Sequence, residues 1–301
     1  MNPSNPYFKQ VQLLVQVLPM LEAHPVFALK GGTAINLFVR DLPRLSVDID
    51  LAYEPVKGRD ESLKDIHQNL LRLSQALEVQ GLRVQKNSPE SITRLTVSNQ
   101  EAQIKIETSP VLRGTVHQTN ILQVTPKVEE LFGYVETQTL SFEDLYAGKL
   151  CAALDRQHPR DLFDVKGLLE SEGISNQLKD TFMVYLMSHP RPMHELLSPN
   201  LKNISESYNK EFENMTTERV SLSALLDARS QLIHQIQSLL TQTDKEFLLS
   251  VKKLDVDWND FEYPEVVDLP AIKWKLYNLT HMEKVAHAAA VHKLEEVLQV
   301  I

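Results

Sequence analysis

The stretch from Val26 to Tyr53 restricts the fold more than any other part of the chain. Val26 to Leu29 is a short apolar run suited to a buried strand, and Lys30-Gly31-Gly32 follows it directly. Thr33 then opens Ala-Ile-Asn-Leu-Phe-Val-Arg, which reads as a helix of about two turns, until Asp41-Leu42-Pro43 breaks it. From Ser46 to Tyr53, apolar Val47, Ile49 and Leu51 alternate with polar Ser46, Asp48 and Asp50. That is a half-buried strand with one charged face.

Order gives these residues a chemistry that none of them has alone. Glycines at a strand-to-helix junction let backbone N–H groups approach a phosphate, and the helix N-terminus favours the anion. Gly31, Gly32 and Thr33 are therefore candidate nucleotide contacts, with Lys30 and Ser46 beside them. Asp48 and Asp50, two apart on a strand, project from one face and can share a hard cation. Glu107, on a later strand-like piece, supplies a third carboxylate for a site of two magnesium ions acting on a nucleoside triphosphate. Its alternative is a plain solvated face shared with Lys105.

The rest of the chain places this unit in a larger plan. Residues 5 to 24 carry Val11, Leu14, Leu18 and Leu21 at helical spacing. A second helix runs from Arg59 to Gln80 and stops at Gly81, and strands follow at Leu82 to Lys86, Ile92 to Ser98 and Gln103 to Thr108. Beyond about Ser141 the pattern is helical, over 142–155, 160–171, 176–188, 217–241 and 280–299. The expectation is an α+β chain: a mixed sheet with helices in residues 1–140, then a helical domain in 141–301.

Several classes of function are set aside by composition. Net charge is −9, which argues against a protein that coats nucleic acid generally but leaves room for a local basic patch. No run of eighteen apolar residues suggests a membrane span, and the first ten residues do not read as a secretory signal. The single cysteine, Cys151, permits no internal disulfide, so a reducing cytoplasm is the simplest location. The histidines are scattered without zinc spacing, and neither a Gly-x-Ser-x-Gly elbow nor a Walker P-loop occurs.

The later helices add further polar residues. Lys149 and Arg156 are seven apart, on one helical face with Ala152 and Ala153 close by, so another element can approach there. Pro159 suits the first turn of the next helix, where Arg160 and Asp164, four apart, can pair.

Together these blocks resemble the AbiEii/AbiGii-type nucleotidyltransferase toxins, a bacterial family of phage-defence and toxin–antitoxin systems. The likeness is carried by Lys30-Gly31-Gly32-Thr33-Ala34, by Arg44-Leu45-Ser46-Val47-Asp48-Ile49-Asp50-Leu51, by Asp144 to Ala153, and by Arg156 to Val165. The tract Leu269 to Leu279 is also similar, and residues 170 to 265 match less well. Family members often have Gly-Ser where this chain has Gly32-Thr33, and either hydroxyl can bond a phosphate. The resemblance implies a DNA-polymerase-β-like nucleotidyltransferase domain. It implies magnesium with Asp48, Asp50 and Glu107 as ligands, Lys149 and Arg160 at the nucleotide, and Asp164 positioning Lys149 or the acceptor. It further implies NMP transfer from an NTP to an acceptor such as a tRNA 3′ end, and a cognate antitoxin. Two other readings share the same residues: a small-molecule nucleotidyltransferase of the aminoglycoside-modifying kind, and an inactive fold kept as a binding module. Ser46 reads as an ordinary strand residue in preference to a site of self-modification.

Overall fold

The computed structural model describes residues 6–301, so the first residue of the helix expected from residue 5 lies outside the described residues. The chain divides into two compact units: Met1–Leu145 with Glu213–Arg219, and Tyr146–Phe212 with Val220–Ile301.

The first unit opens with α1 (Pro6–Val17), continued by a 3-10 stretch, Leu18–Ala23. Its Val11, Leu14, Leu18 and Leu21 are all buried, as their spacing requires. Strand β1 (Phe27–Lys30) runs into α2 (Gly31–Ala34), whose last turn widens to π geometry over Ile35–Val39. Then come β2 (Asp48–Tyr53), α3 (Arg59–Val79), β3 (Arg83–Lys86), β4 (Arg94–Ser98) and β5 (Gln103–Arg113). Strand β6 (Asn120–Gln123), α4 (Pro126–Phe132) and β7 (Glu136–Thr139) complete the unit.

The seven strands form one sheet in the order β3-β4-β5-β2-β1-β7-β6. It is mixed: β2 pairs with β5 and β1 with β7 in parallel, and the other pairs are antiparallel. Ile66, Leu70, Leu73 and Leu77 form the buried stripe of α3. The sequence pattern does not announce β6, α4 or β7. Glu-Thr-Gln-Thr has no apolar residue, and β7 owes its place to pairing with β1, where Leu29 faces Thr139 and Leu140 N–H donates to the Leu29 carbonyl. The returning segment is pinned to the loop before β2. Leu45 N–H donates to the Met215 carbonyl (2.7 Å), and Thr217 N–H donates to the Pro43 carbonyl (2.9 Å).

The second unit is helical, with no β-strand among its described residues. Helix α5 (Phe142–Asp155) contains the boundary between the units. It is followed by α6 (Pro159–Glu170), α7 (Asn176–Ser188), α8 (Met193–Leu197), α9 (Ser205–Glu211) and α10 (Leu222–Leu239). Next come α11 (Gln242–Lys253), α12 (Pro270–Thr280) and α13 (Lys284–Val300). Helix α10 starts at Leu222, not at 217, because residues 217–219 belong to the first unit and Ser221 caps the new helix. The short α8 and α9 carry too few turns to show a period. Helix α11 is marked by a capping box, with Thr241 and Asp244 bonding each other's backbone N–H. No helix of the described residues is long and apolar enough to cross a membrane.

Candidate active site

In the first unit, the sheet register builds the site. Lys30 of β1 faces Asp50 of β2, Asp50 faces Glu107 of β5, and Glu107 faces Arg94 of β4. Residues paired across neighbouring strands share a face, so these four charged side chains form one row across the sheet. Asp48, two residues from Asp50, points to that same face and pairs in register with Lys105. The three carboxylates proposed from sequence, Asp48, Asp50 and Glu107, are thus brought to one face of adjoining strands. Glu107 leans toward Arg94, with 3.4 Å between its Oε1 and Nη1. As the side chains stand, no three His, Cys, Asp or Glu residues among those described form a group that could hold a metal ion.

The Gly-Gly turn is fitted closely against this row. Gly31 has φ +72°, the left-handed region that a side chain disfavours. A Cβ on it would lie 2.5 Å from Asp50 Oδ2. A Cβ on Gly32 would lie 2.6 Å from Arg44 Nη2 and 2.9 Å from Ser46 Oγ. Both glycines are needed because carboxylate, guanidinium and hydroxyl occupy the space of their missing side chains. Thr33 is fully buried, and its hydroxyl donates to the Asp48 carbonyl at 2.5 Å, with Ser46 Oγ at 3.1 Å. The Thr33 and Ser46 hydroxyls therefore tie the turn to β2 and face inward. Asn36 Nδ2 donates to the Gly32 carbonyl at 2.9 Å, which fixes the turn from the helix side.

Arg44 is a site residue that the candidate set omitted. It is 2% exposed, donates to the Leu45 carbonyl at 2.9 Å and sits beneath Gly32. Its position in the motif was visible, but a charged residue is expected at the surface unless something pairs with it. Asp144 is likewise structural. Its carboxylate accepts from the Ser141 hydroxyl and from the backbone N–H groups of Val116 and His117, which holds the 116–117 loop, while Ser141 Oγ accepts from the Asp144 N–H and so caps α5.

A second charged cluster lies wholly in the second unit. Lys149 Nζ, 6% exposed in its side chain, sits 2.8 Å from Asp161 Oδ1 and 2.9 Å from Asp164 Oδ2. Arg156 donates to both Asp161 oxygens, at 2.5 and 3.0 Å. Burial would raise the Asp161 carboxyl, but the Lys149 ammonium and Arg156 guanidinium outweigh it and hold the group well below the usual carboxylate range. Two cations against two carboxylates leave the cluster balanced. Asp164 thus meets Lys149 across the two helices. Arg160 is half-buried beside His158, whose side chain accepts from the Arg160 N–H.

The turn between α5 and α6 sets this cluster. Gln157 has φ +53°, unusual for a residue with a side chain, and is buried. Its amide donates to the Asn200 carbonyl and accepts from Lys202 N–H and Arg229 Nη1. Cys151, in α5, is buried and its thiol is pushed up by burial, so it is packing.

The mixed sheet, with paired aspartates beside a Gly-Gly turn, defines the class of nucleotidyltransferases. The fold is shared with the solved nucleotidyltransferase toxin MenT4 of Mycobacterium tuberculosis, at 11% identity and a TM-score of 0.57, over 100% of this chain and 94% of that one. No curated protein matches the chain. The family model described as "Nucleotidyl transferase AbiEii toxin, Type IV TA system" matches residues 12–276, and the chain belongs to that family.

Proposed function

We propose that this nucleotidyltransferase moves a nucleoside monophosphate from an NTP to a hydroxyl of an RNA acceptor, a tRNA 3′ end, with magnesium held by Asp48, Asp50 and Glu107. The observation that carries the reading is the register row Lys30–Asp50–Glu107, with the Asp50 carboxylate in the space of the missing Gly31 side chain. An all-oxygen donor set of carboxylates suits a hard divalent cation. Magnesium, when bound there, would align the attacking oxygen with the α-phosphate and neutralise charge on the departing pyrophosphate. Lys30 offsets the negative row from one side and Arg94 from the other. The backbone N–H groups of the Gly31–Thr33 turn offer donors to phosphate oxygens, while the Thr33 and Ser46 hydroxyls hold that turn in place. In the second unit, Lys149, Asp164 and Arg160 are proposed to serve the nucleotide and acceptor. Asp161 and Asp164 hold the Lys149 ammonium between them and so fix where its charge is presented. The family's toxin–antitoxin description implies a cognate antitoxin, and a tRNA acceptor places the reaction in the cytoplasm.

The test is incubation of the protein with each labelled NTP, magnesium and total tRNA, beside Asp48→Ala and Asp50→Asn. Label on tRNA with wild type alone supports the reading and names the nucleotide. Protein that binds NTP and magnesium yet leaves tRNA unlabelled, while labelling a protein or small-molecule fraction, overturns the RNA acceptor.

A further inference from the structure

The tract Leu269 to Leu279, similar to the family in sequence, contributes nothing to the site described above, yet α12 exposes most of its aromatic surface. Trp274 and Tyr277 are each 52% exposed, although large aromatic side chains usually contribute to a core. Their rings lie nearly parallel, 9° apart, with centroids 5.6 Å from one another. Tyr277 stacks in turn on the exposed His281 ring at 4.0 Å, and His281 Nδ1 lies 2.8 Å from the Tyr277 carbonyl. Residues spaced three and four apart lie along one edge of a helix. Trp274, Tyr277 and His281 therefore form a ladder of three flat rings on the outside of the second unit.

The sequence that carries the ladder is more cationic than the chain as a whole. Between residues 270 and 293 there are four lysines and three histidines against one glutamate, in a protein of net charge −9. Lys273 and Lys284 are exposed; Lys273 reaches Asp268 at 2.9 Å, an exposed pair of the kind that contributes little. Lys275 is turned inward, where its ammonium donates to the His189 and Arg191 carbonyls and pins α12. A fixed helix, half-exposed aromatic rings and exposed lysines close by in sequence are the parts from which single-stranded nucleic acid sites are built. Bases stack on the rings, and the phosphates between them meet the cations.

We propose that the Trp274–Tyr277–His281 face of α12 is a stacking platform for unpaired nucleotides of an RNA. The proposal deepens the RNA reading of the preceding subsection and rests on it. Stacking does not distinguish one base from another, so the platform grips a strand without reading its sequence. Met282 and Val285, which follow the ladder in sequence, are also exposed, which makes a second copy of this chain the rival occupant.

The chain has two tryptophans, so Trp258→Phe leaves Trp274 as the one indole reporter. Titration of that variant with a short single-stranded RNA and with total tRNA, without NTP, is expected to quench its fluorescence. Trp274→Ala with Tyr277→Ala should weaken RNA binding roughly ten- to a hundredfold, in a protein that circular dichroism shows still folded, because about half of each side chain lies outside the packing. Lys273→Glu with Lys284→Glu should weaken it too and flatten its salt dependence. Equal RNA affinity in wild type and the aromatic double variant overturns the platform. So does loss of a dimer, seen by sedimentation of that variant, without loss of RNA binding. Labelling of RNA that never quenches Trp274 sinks the platform and leaves the transfer reading standing. Quenching by RNA that is never labelled does the reverse.

Discussion

At Gly31 a methyl group would have to enter the left-handed region, at φ +72°, and displace the Asp50 carboxylate from 2.5 Å. The conformational cost is on the order of 1–2 kcal/mol. The chemical cost is larger, because a shifted Asp50 no longer lines up with Glu107. Gly31→Ala is therefore expected to fold with a slightly lowered melting temperature and to lose about a hundredfold or more in labelled-nucleotide transfer. Wild-type rates from a folded Gly31→Ala protein would show that Asp50 is not placed by this contact. Asp161→Asn has the opposite profile. It strips Lys149 and Arg156 of a shared buried carboxylate and should cost about 3 kcal/mol in urea unfolding at neutral pH. Because the folded pKa of Asp161 is depressed, its contribution is present above the ordinary carboxylate pKa and is lost as pH falls below it. The gap between wild type and Asp161→Asn should accordingly narrow below about pH 4. These residues differ in how far they can be read from the chain. Asp48 and Asp50 are legible because a two-residue period puts them on one face, and the glycines because they join a strand to a helix. The pairing of Lys149 with Asp161 is not legible: it depends on Gln157 holding φ +53°, and its anchors are Asn200, Lys202 and Arg229, far along the chain.

Among the elements, α12 shows how an anchoring group sets a pH response. Burial pushes the Lys275 ammonium down, with the Lys252 charge adding to it, to about 8. In the unfolded chain the same lysine keeps its proton to about 10.4. Between those values the unfolded state binds more protons, so stability rises with pH, and below about 8 the full cost of the buried charge is present. The span corresponds to an upper limit of about 3 kcal/mol. Urea midpoints measured from pH 7.5 to 10 should climb for wild type relative to Lys275→Met, which lacks the titrating group. Parallel profiles would mean that Lys275 keeps its proton throughout. The element pattern was legible where length and period cooperate, as in α3 with its buried Leu70, Leu73 and Leu77. It was silent on β7, where Thr137 and Thr139 are buried by pairing with neighbours and not by their own hydrophobicity. Glu107 lies between these cases. Its strand alternates visibly, but only the sheet order, which puts β5 beside β2, makes it Asp50's partner.

For the molecule as a whole, the chain does not fold as two consecutive halves, because residues 213–219 belong to the first unit. That segment buries Met215 at 2% exposure. It also satisfies Leu45 N–H, the Pro43 carbonyl and, through the Thr217 hydroxyl at 2.9 Å, the Leu42 carbonyl. Burial of one methionine is worth about 2 kcal/mol, and three hydrogen bonds add roughly 1 kcal/mol each. A fragment ending at Leu145 should therefore be about 3–5 kcal/mol less stable than the same fragment joined by a flexible linker to residues 213–219. The comparison holds the rest of the chain constant, so urea unfolding of the two fragments isolates the returning segment. The effect should extend to the site, since the strap lies against Leu42 to Leu45, and Arg44 in that loop fills the space beside Gly32. NTP titration of the strapped fragment should accordingly give the tighter binding. Equal stability and equal NTP affinity would mean that the loop before β2 holds Arg44 and the Gly-Gly turn by itself, and that the return of the chain serves only to connect α9 to α10.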